Sequence, residues 1–193
     1  MSNAPQPLPP LMTVADFLDW PGDGTDTRYE LVDGVLRAMA PGSDAHNTIV
    51  ANLAGLIWQH LRHSRPQCRL VMALGVQIRT RAEWNFRVPD LGVTCTPNRA
   101  GEVMTPDPIL LVEVLSPGNV NDTYESVRGY ATLPSVQEIA LIHSTRIKAE
   151  VLRRDEREAW PDDPVVVDRD ALRLESIGAT LALKDIYVGT HLT

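Results

Sequence analysis

Two carboxylates stand where this chain would not ordinarily put charge. Glu113 interrupts ILLVEVL (residues 109–115), a run otherwise apolar throughout. A carboxylate inside such a segment is costly to bury unless it is paired or bound to a cation. Asp90 follows Pro89 in RVPDLGV (87–93), immediately ahead of a second apolar stretch. Proline lacks an N–H and sits at strand ends or bulges, where the ladder is interrupted and a neighbouring side chain can be re-aimed. If the two segments are adjacent strands, about 4.8 Å apart, the two acids share one site. Like charges that close repel unless a proton or a cation intervenes. Mg²⁺ held by one or two carboxylates, with water and a substrate phosphate, meets that need. The alternatives are an architectural Glu–Arg pair for Glu113 and a plain turn-forming role for Asp90.

The elements that must position these acids are readable from periodicity. Thr13 to Trp20 predicts a short helix with Thr13 as N-cap and Asp16 at N3. Residues 28–32 and 35–39 alternate on either side of Asp33-Gly34, a hairpin-turn dipeptide. From about 45 to 63, Ile49, Val50, Leu53, Leu56, Ile57 and Leu61 recur at helical spacing. Strand-like segments follow at about 69–79, 86–95 and 109–115, the last reading as a central strand covered on both faces. A helix over about 121–133, stopped by Pro134, precedes a buried strand over 136–142. Short strands at 148–153, 164–167, 171–175 and 180–183, then a helical turn near 184–187, complete the chain. The succession predicts an α+β or mixed α/β fold, one central mixed sheet flanked by helices, with an N-terminal hairpin and C-terminal strand additions.

At 193 residues the chain predicts a single domain over 11–193, preceded by a Pro-rich stretch, 1–10, that reads as a mobile tail. Its 44% hydrophobic and 22% charged residues are ordinary for a globular protein. Lys and Arg number 18 against 25 Asp and Glu, a formal net charge of −7. That argues against a protein that coats DNA through a basic face. It does not exclude an enzyme that gathers acids around a metal. Cys68 and Cys95 are too few and too far apart for a disulfide framework or a zinc site, and read as buried free thiols in a reduced, cytoplasmic protein. No apolar stretch approaches the roughly 20 residues needed to span a bilayer, so no membrane partner is expected. Basic residues cluster at Arg62, Arg65 and Arg69, at Arg79, Arg81 and Arg87, and at Arg146, Lys148, Arg153 and Arg154. Two such clusters on one edge would make a cationic rim around the acidic centre; singly, each reads as a solvated face. Trp58 reads as core or interface.

Tyr29-Glu-Leu-Val-Asp-Gly34, His46 at a helix start, Val88-Pro-Asp-Leu91, Val112-Glu-Val-Leu-Ser-Pro117, and Tyr130 ahead of Pro134-Ser-Val-Gln-Glu138 occur in that order. The set resembles the Uma-two family of endonucleases, within the PD-(D/E)XK restriction-endonuclease-like superfamily, from about Met12 to the C-terminus. The resemblance implies a restriction-endonuclease-like fold and Mg²⁺- or Mn²⁺-dependent hydrolysis of phosphodiester bonds in nucleic acid, DNA first. A homodimer is expected because a short DNA-cleaving domain usually needs two sites to cut both strands. The resemblance further implies that Asp90 and Glu113 are metal ligands and that His46 is an auxiliary ligand or a substrate contact. It also aligns Glu30 with the family's hairpin Glu, where an architectural salt bridge is expected, and Tyr130 with the family's helix tyrosine facing the site; a core aromatic is the alternative for Tyr130.

One position departs from the family pattern. The superfamily places a Lys two residues after the strand carboxylate, where this chain has Leu115. Family members commonly move it into the following helix, four residues before the tyrosine, where this chain has Ser126. Arg128 is two residues further on, a turn of about 200° around a helix, and faces away. Such a lysine orients the attacking water and stabilises charge on the phosphorane. Ser126 can hold a water and supplies no charge. Either Arg79, Arg87 or a second metal substitutes, or the chain is a silenced nuclease-fold module that binds nucleic acid or protein.

Overall fold

A computed structural model of the chain describes residues 11–73, 75–118 and 120–193; the predicted N-terminal tail lies outside them. The first helix, α1 (Val14–Asp19), starts on the expected capping box, Thr13 and Asp16 each satisfying the other's backbone N–H. Strands β1 (Tyr29–Val32) and β2 (Val35–Ala38) form the hairpin. Its two turn residues, Asp33 and Gly34, have φ of 50° and 84°, the left-handed pair that matches strand twist in a two-residue turn. Helix α2 (Asp44–Ser64) is capped by Ser43 and buries Ile49, Leu53, Ile57 and Leu61 along one stripe. Burying each such side chain contributes about 1.5–3 kcal/mol.

Six strands make the central sheet: β3 (Arg69–Met72), β4 (Leu91–Thr94), β5 (Pro108–Leu115), β6 (Glu138–His143), β7 (Ala149–Arg153) and β8 (Val165–Val167), hydrogen-bonded in that order. The pair β5–β6 is parallel and the other pairs are antiparallel. A parallel pair needs a crossover, and α3 (Val120–Tyr130) provides it. The second small hairpin, β9 (Ala171–Leu174) with β10 (Ala179–Ala182), leads into the short helix α4 (Leu183–Ile186).

Alternation along β5 assigns its two faces. Leu110, Val112 and Val114 join the α2 stripe and the β9–β10 hairpin in one core; Leu111 and Leu115 pack with Val127 and Tyr130 of α3 in another. Glu113 belongs by alternation to the α3 face. A third core ties the β1–β2 hairpin and α1 to Phe86 and Val88. The central strand is therefore covered on both faces, as its apolar run predicts.

Several expected spans are shorter. The 69–79 segment leaves the sheet after Met72, where Ala73 takes a φ of 48°, and then pairs through isolated bridges, Gly75 with Met104 and Val76 with Arg87. In 86–95, Phe86 bridges to Leu31, and the ladder with β5 begins only at Leu91, beyond Pro89. The third core helix ends at Tyr130, three residues before Leu133.

The cysteine reading is overturned. Cys68 and Cys95 form a disulfide with their Cα atoms 3.9 Å apart, and no described cysteine is free. The 27-residue separation in sequence hid a direct apposition. Arg69 pairs with Thr94 across β3–β4, so Cys68 and Cys95 flank the next rung. With both described cysteines in a disulfide, no free thiol points to a reducing compartment. No helix among the described residues is long and apolar enough to cross a membrane.

Candidate active site

The β4–β5 register builds the centre of the site. Leu91 pairs with Val112, so Asp90 and Glu113 occupy the next rung. The irregular backbone at Pro89 lets Asp90 turn inward: its Oδ2 accepts from the Val114 N–H at 2.8 Å, while its own N–H donates to the Glu113 carboxylate. His46, in the first turn of α2, brings Nε2 to 3.3 Å from Asp90 Oδ2. Gly42 permits this, because a Cβ there would stand 2.7 Å from His46 Nδ1. The hydrogen bond to Asp90 raises the His46 pKa above its ordinary value. Tyr130, fully buried on α3, donates from its hydroxyl to Glu113 Oε1 at 2.6 Å. Burial, then the charge of Asp90, pushes the Glu113 carboxyl well up, against the pull of the Tyr130 bond. Burial and the same carboxylate push the Tyr130 phenol up as well.

His46, Asp90 and Glu113 open into a cavity of about 850 Å³ between the hairpin, the start of α2, the β4–β5 ends and α3, with Tyr130 buried behind Glu113. Its lining includes His46, Asp90, Glu113 and Ser126. Glu30 also lines it, anchored by the Val88 N–H at 2.8 Å and raised by burial above the ordinary carboxylate range. The other candidates lie elsewhere. Arg79 is exposed and lines a second cavity of about 610 Å³ with residues of the 101–108 loop. Arg87 is buried behind Glu30, with Nη1 on the Leu31 carbonyl and Nη2 3.7 Å from Glu125. It braces the hairpin and does not line the main cavity.

Two groupings were missed from the sequence. Arg37 lines the main cavity and pairs with Asp122 and Glu125 of α3 at 3.3 and 3.1 Å. Its signal was present: a two-residue turn at Asp33-Gly34 sets Glu30 opposite Arg37. The second grouping converges on Glu150 of β7, where Tyr124 Oη, His143 Nε2 and Lys148 Nζ lie 2.7, 3.0 and 2.6 Å from its oxygens. Glu150 shares the α3 face with Glu113, two strands away through the pairs Glu113–Leu141 and Leu141–Glu150. Nothing in AEVLR (149–153) distinguishes Glu150 from a solvated strand residue.

Among the described residues no three His, Cys, Asp or Glu side chains form a ready metal cage. The donor chemistry still suits a hard divalent cation: two carboxylate oxygens, with remaining positions left to water and substrate. A cation between Asp90 and Glu113 would also relieve the repulsion that raises Glu113.

Comparison with known proteins bears on the whole domain. Residues 14–184 match the model of the Uma2 family, described as "Putative restriction endonuclease". "Uncharacterized protein slr1290" of Synechocystis is 28% identical over 194 residues, covering 98% of both chains. A crystal structure from Anabaena variabilis, described as a "putative nuclease belonging to DUF820", superposes with a TM-score of 0.71 at 19% identity, covering 91% of this chain and 97% of that one. That likeness is one of fold.

Proposed function

Because the chain belongs to the Uma2 family of restriction-endonuclease-like proteins, we propose that it is a metal-dependent endonuclease acting on phosphodiester bonds of nucleic acid, DNA first. The observation that carries this reading is the convergence of Asp90 and Glu113 on one rung, next to the Leu91–Val112 pair of the β4–β5 ladder, in a cavity that also holds His46. Asp90 and Glu113 would hold Mg²⁺ or Mn²⁺. Such a cation supplies Lewis acidity toward the phosphate and lowers the pKa of water. The protein's own groups hold the arrangement still. The Val114 N–H fixes Asp90, and the Tyr130 hydroxyl fixes Glu113 and favours its ionised form. His46 donates to Asp90 and stands at the cavity wall, where it can meet a phosphate oxygen. In the reaction a water oxygen bonds to phosphorus, the P–O bond to the sugar oxygen breaks, and that oxygen takes a proton. A homodimer would give two sites, one for each strand of a duplex.

Ser126 favours a second reading, a silenced relative that binds without cutting: it is buried against the cavity, where the family resemblance would lead one to expect a lysine. Incubating the purified protein with single- and double-stranded DNA and RNA separates the two. Cleavage that needs Mg²⁺ or Mn²⁺, stops with chelator, and disappears in Asp90→Ala and Glu113→Ala supports the endonuclease. Salt-dependent binding with no cleavage of any substrate contradicts it and leaves the binding module.

A further inference from the structure

We propose that Arg37, on the N-terminal hairpin, supplies the cationic contact to the substrate phosphate that Ser126 cannot make; the inference rests on the endonuclease reading. The cavity is lined by the carboxylates of Asp26, Glu30, Asp90, Glu113 and Asp122. A phosphodiester entering it meets this acidic lining, and a cation held by Asp90 and Glu113 offsets only part of the repulsion. Positive side chains on the lining are therefore decisive. Arg28 is exposed and reaches the Ala73 carbonyl at 3.4 Å, and His46 is engaged with Asp90.

Arg37 is differently placed. The hairpin register sets it on the same side as Glu30. Its Nη1 and Nη2 lie 3.3 and 3.1 Å from Asp122 and Glu125. Asp122 precedes Ser126 by four residues on α3, so the two are stacked neighbours on one helix face. The guanidinium thus sits one helical turn from the serine. Its side chain is 33% exposed and lines the cavity. Arginine carries five N–H donors in a planar fork suited to phosphate. Nη1 is itself buried beside Asp122, so a phosphate is met by the remaining donors of the fork. Arg37→Lys would keep the charge and lose the fork.

The alternative is a clasp that only holds the hairpin to α3. Single-turnover cleavage of a DNA substrate with Mn²⁺ discriminates, using wild type, Asp90→Ala, Arg37→Gln, Arg37→Lys and Arg37→Gln/Ser126→Lys. We expect Arg37→Gln to slow cleavage by about 100-fold, the usual loss when one donor to a charged transition state is removed. Arg37→Lys should retain part of the rate. Lysine at position 126 should recover at least tenfold in the double variant, which repair of a clasp would not do. If Arg37→Gln cleaves like wild type while Asp90→Ala does not, the inference is overturned and the endonuclease reading stands. If wild type itself fails to cleave, binding of a fluorescent oligonucleotide decides. Loss of one phosphate contact lowers the salt slope of log affinity by about 1 in Arg37→Gln, and an unchanged slope and affinity overturn the inference.

Discussion

Glu113 is held between opposing influences that a single atom can tip. Burial and the Asp90 charge favour its neutral form, and the Tyr130 hydroxyl, donating at 2.6 Å, favours the carboxylate. Removing only that oxygen, as Tyr130→Phe does, leaves the ring in its core while taking away the bond. The Glu113 pKa then rises further, so any activity that needs the ionised carboxylate sets in at higher pH. Loss of such a supporting bond typically weakens metal affinity by about 10–100-fold. A pH–rate profile of Tyr130→Phe beside wild type should show the acid limb displaced upward; superimposable limbs would mean the hydroxyl does not hold Glu113 in its working state. Asp90 and Glu113 were legible because charge next to proline or inside an apolar run is conspicuous. Arg37 was legible only in part: the Asp33-Gly34 turn sets it opposite Glu30, but its partners Asp122 and Glu125 come from the packing of α3 on the hairpin.

At the scale of elements, the Glu150 group joins β6, β7 and α3. Burial alone would raise the Glu150 carboxyl, yet bonds from Lys148, Tyr124 and His143 together hold it at about 2, against an ordinary 4.5. Burial lowers His143, so its neutral ring presents Nε2–H to the carboxylate. Burial and the same carboxylate push Tyr124 up to about 12. A depressed carboxyl stabilises the folded state above pH 4.5 and loses that contribution as the pH falls from 4.5 toward 2. Glu150→Gln should cost about 1–3 kcal/mol at pH 7, the worth of hydrogen bonds to a charged group. It should also flatten the acid loss of stability over that window. Urea unfolding at pH 7, 4 and 3 checks both, and equal acid slopes would remove Glu150 from the account. Much of the architecture was legible: the Asp33-Gly34 turn, the α2 stripe and the apolar β5 run each carry their own period. The disulfide was not, because the 27-residue gap says nothing about register, and β3 and β4 are too short for their pairing to be predicted.

For the whole molecule, the formal charge of −7 argues against coating DNA through a basic face and sets any negatively charged substrate against the field of the chain. The structure localises the difficulty, since several of the acids line one cavity. A divalent cation there inverts the local field without changing the rest of the surface. Arg37 would extend that inversion toward the substrate. The long-range charge then weakens nonspecific binding at physiological salt, where screening acts over about 8 Å, and leaves the short-range chemistry of the cavity in place. Everything therefore turns on whether Asp90 and Glu113 take up a cation. Calorimetric titration of Mn²⁺ into the 193-residue chain, beside Asp90→Asn and Glu113→Gln, measures this without a substrate. One saturable Mn²⁺ site per chain is expected in wild type and its loss in either variant; no binding at millimolar Mn²⁺, or equal binding in all three proteins, would rule out a metal site at Asp90 and Glu113.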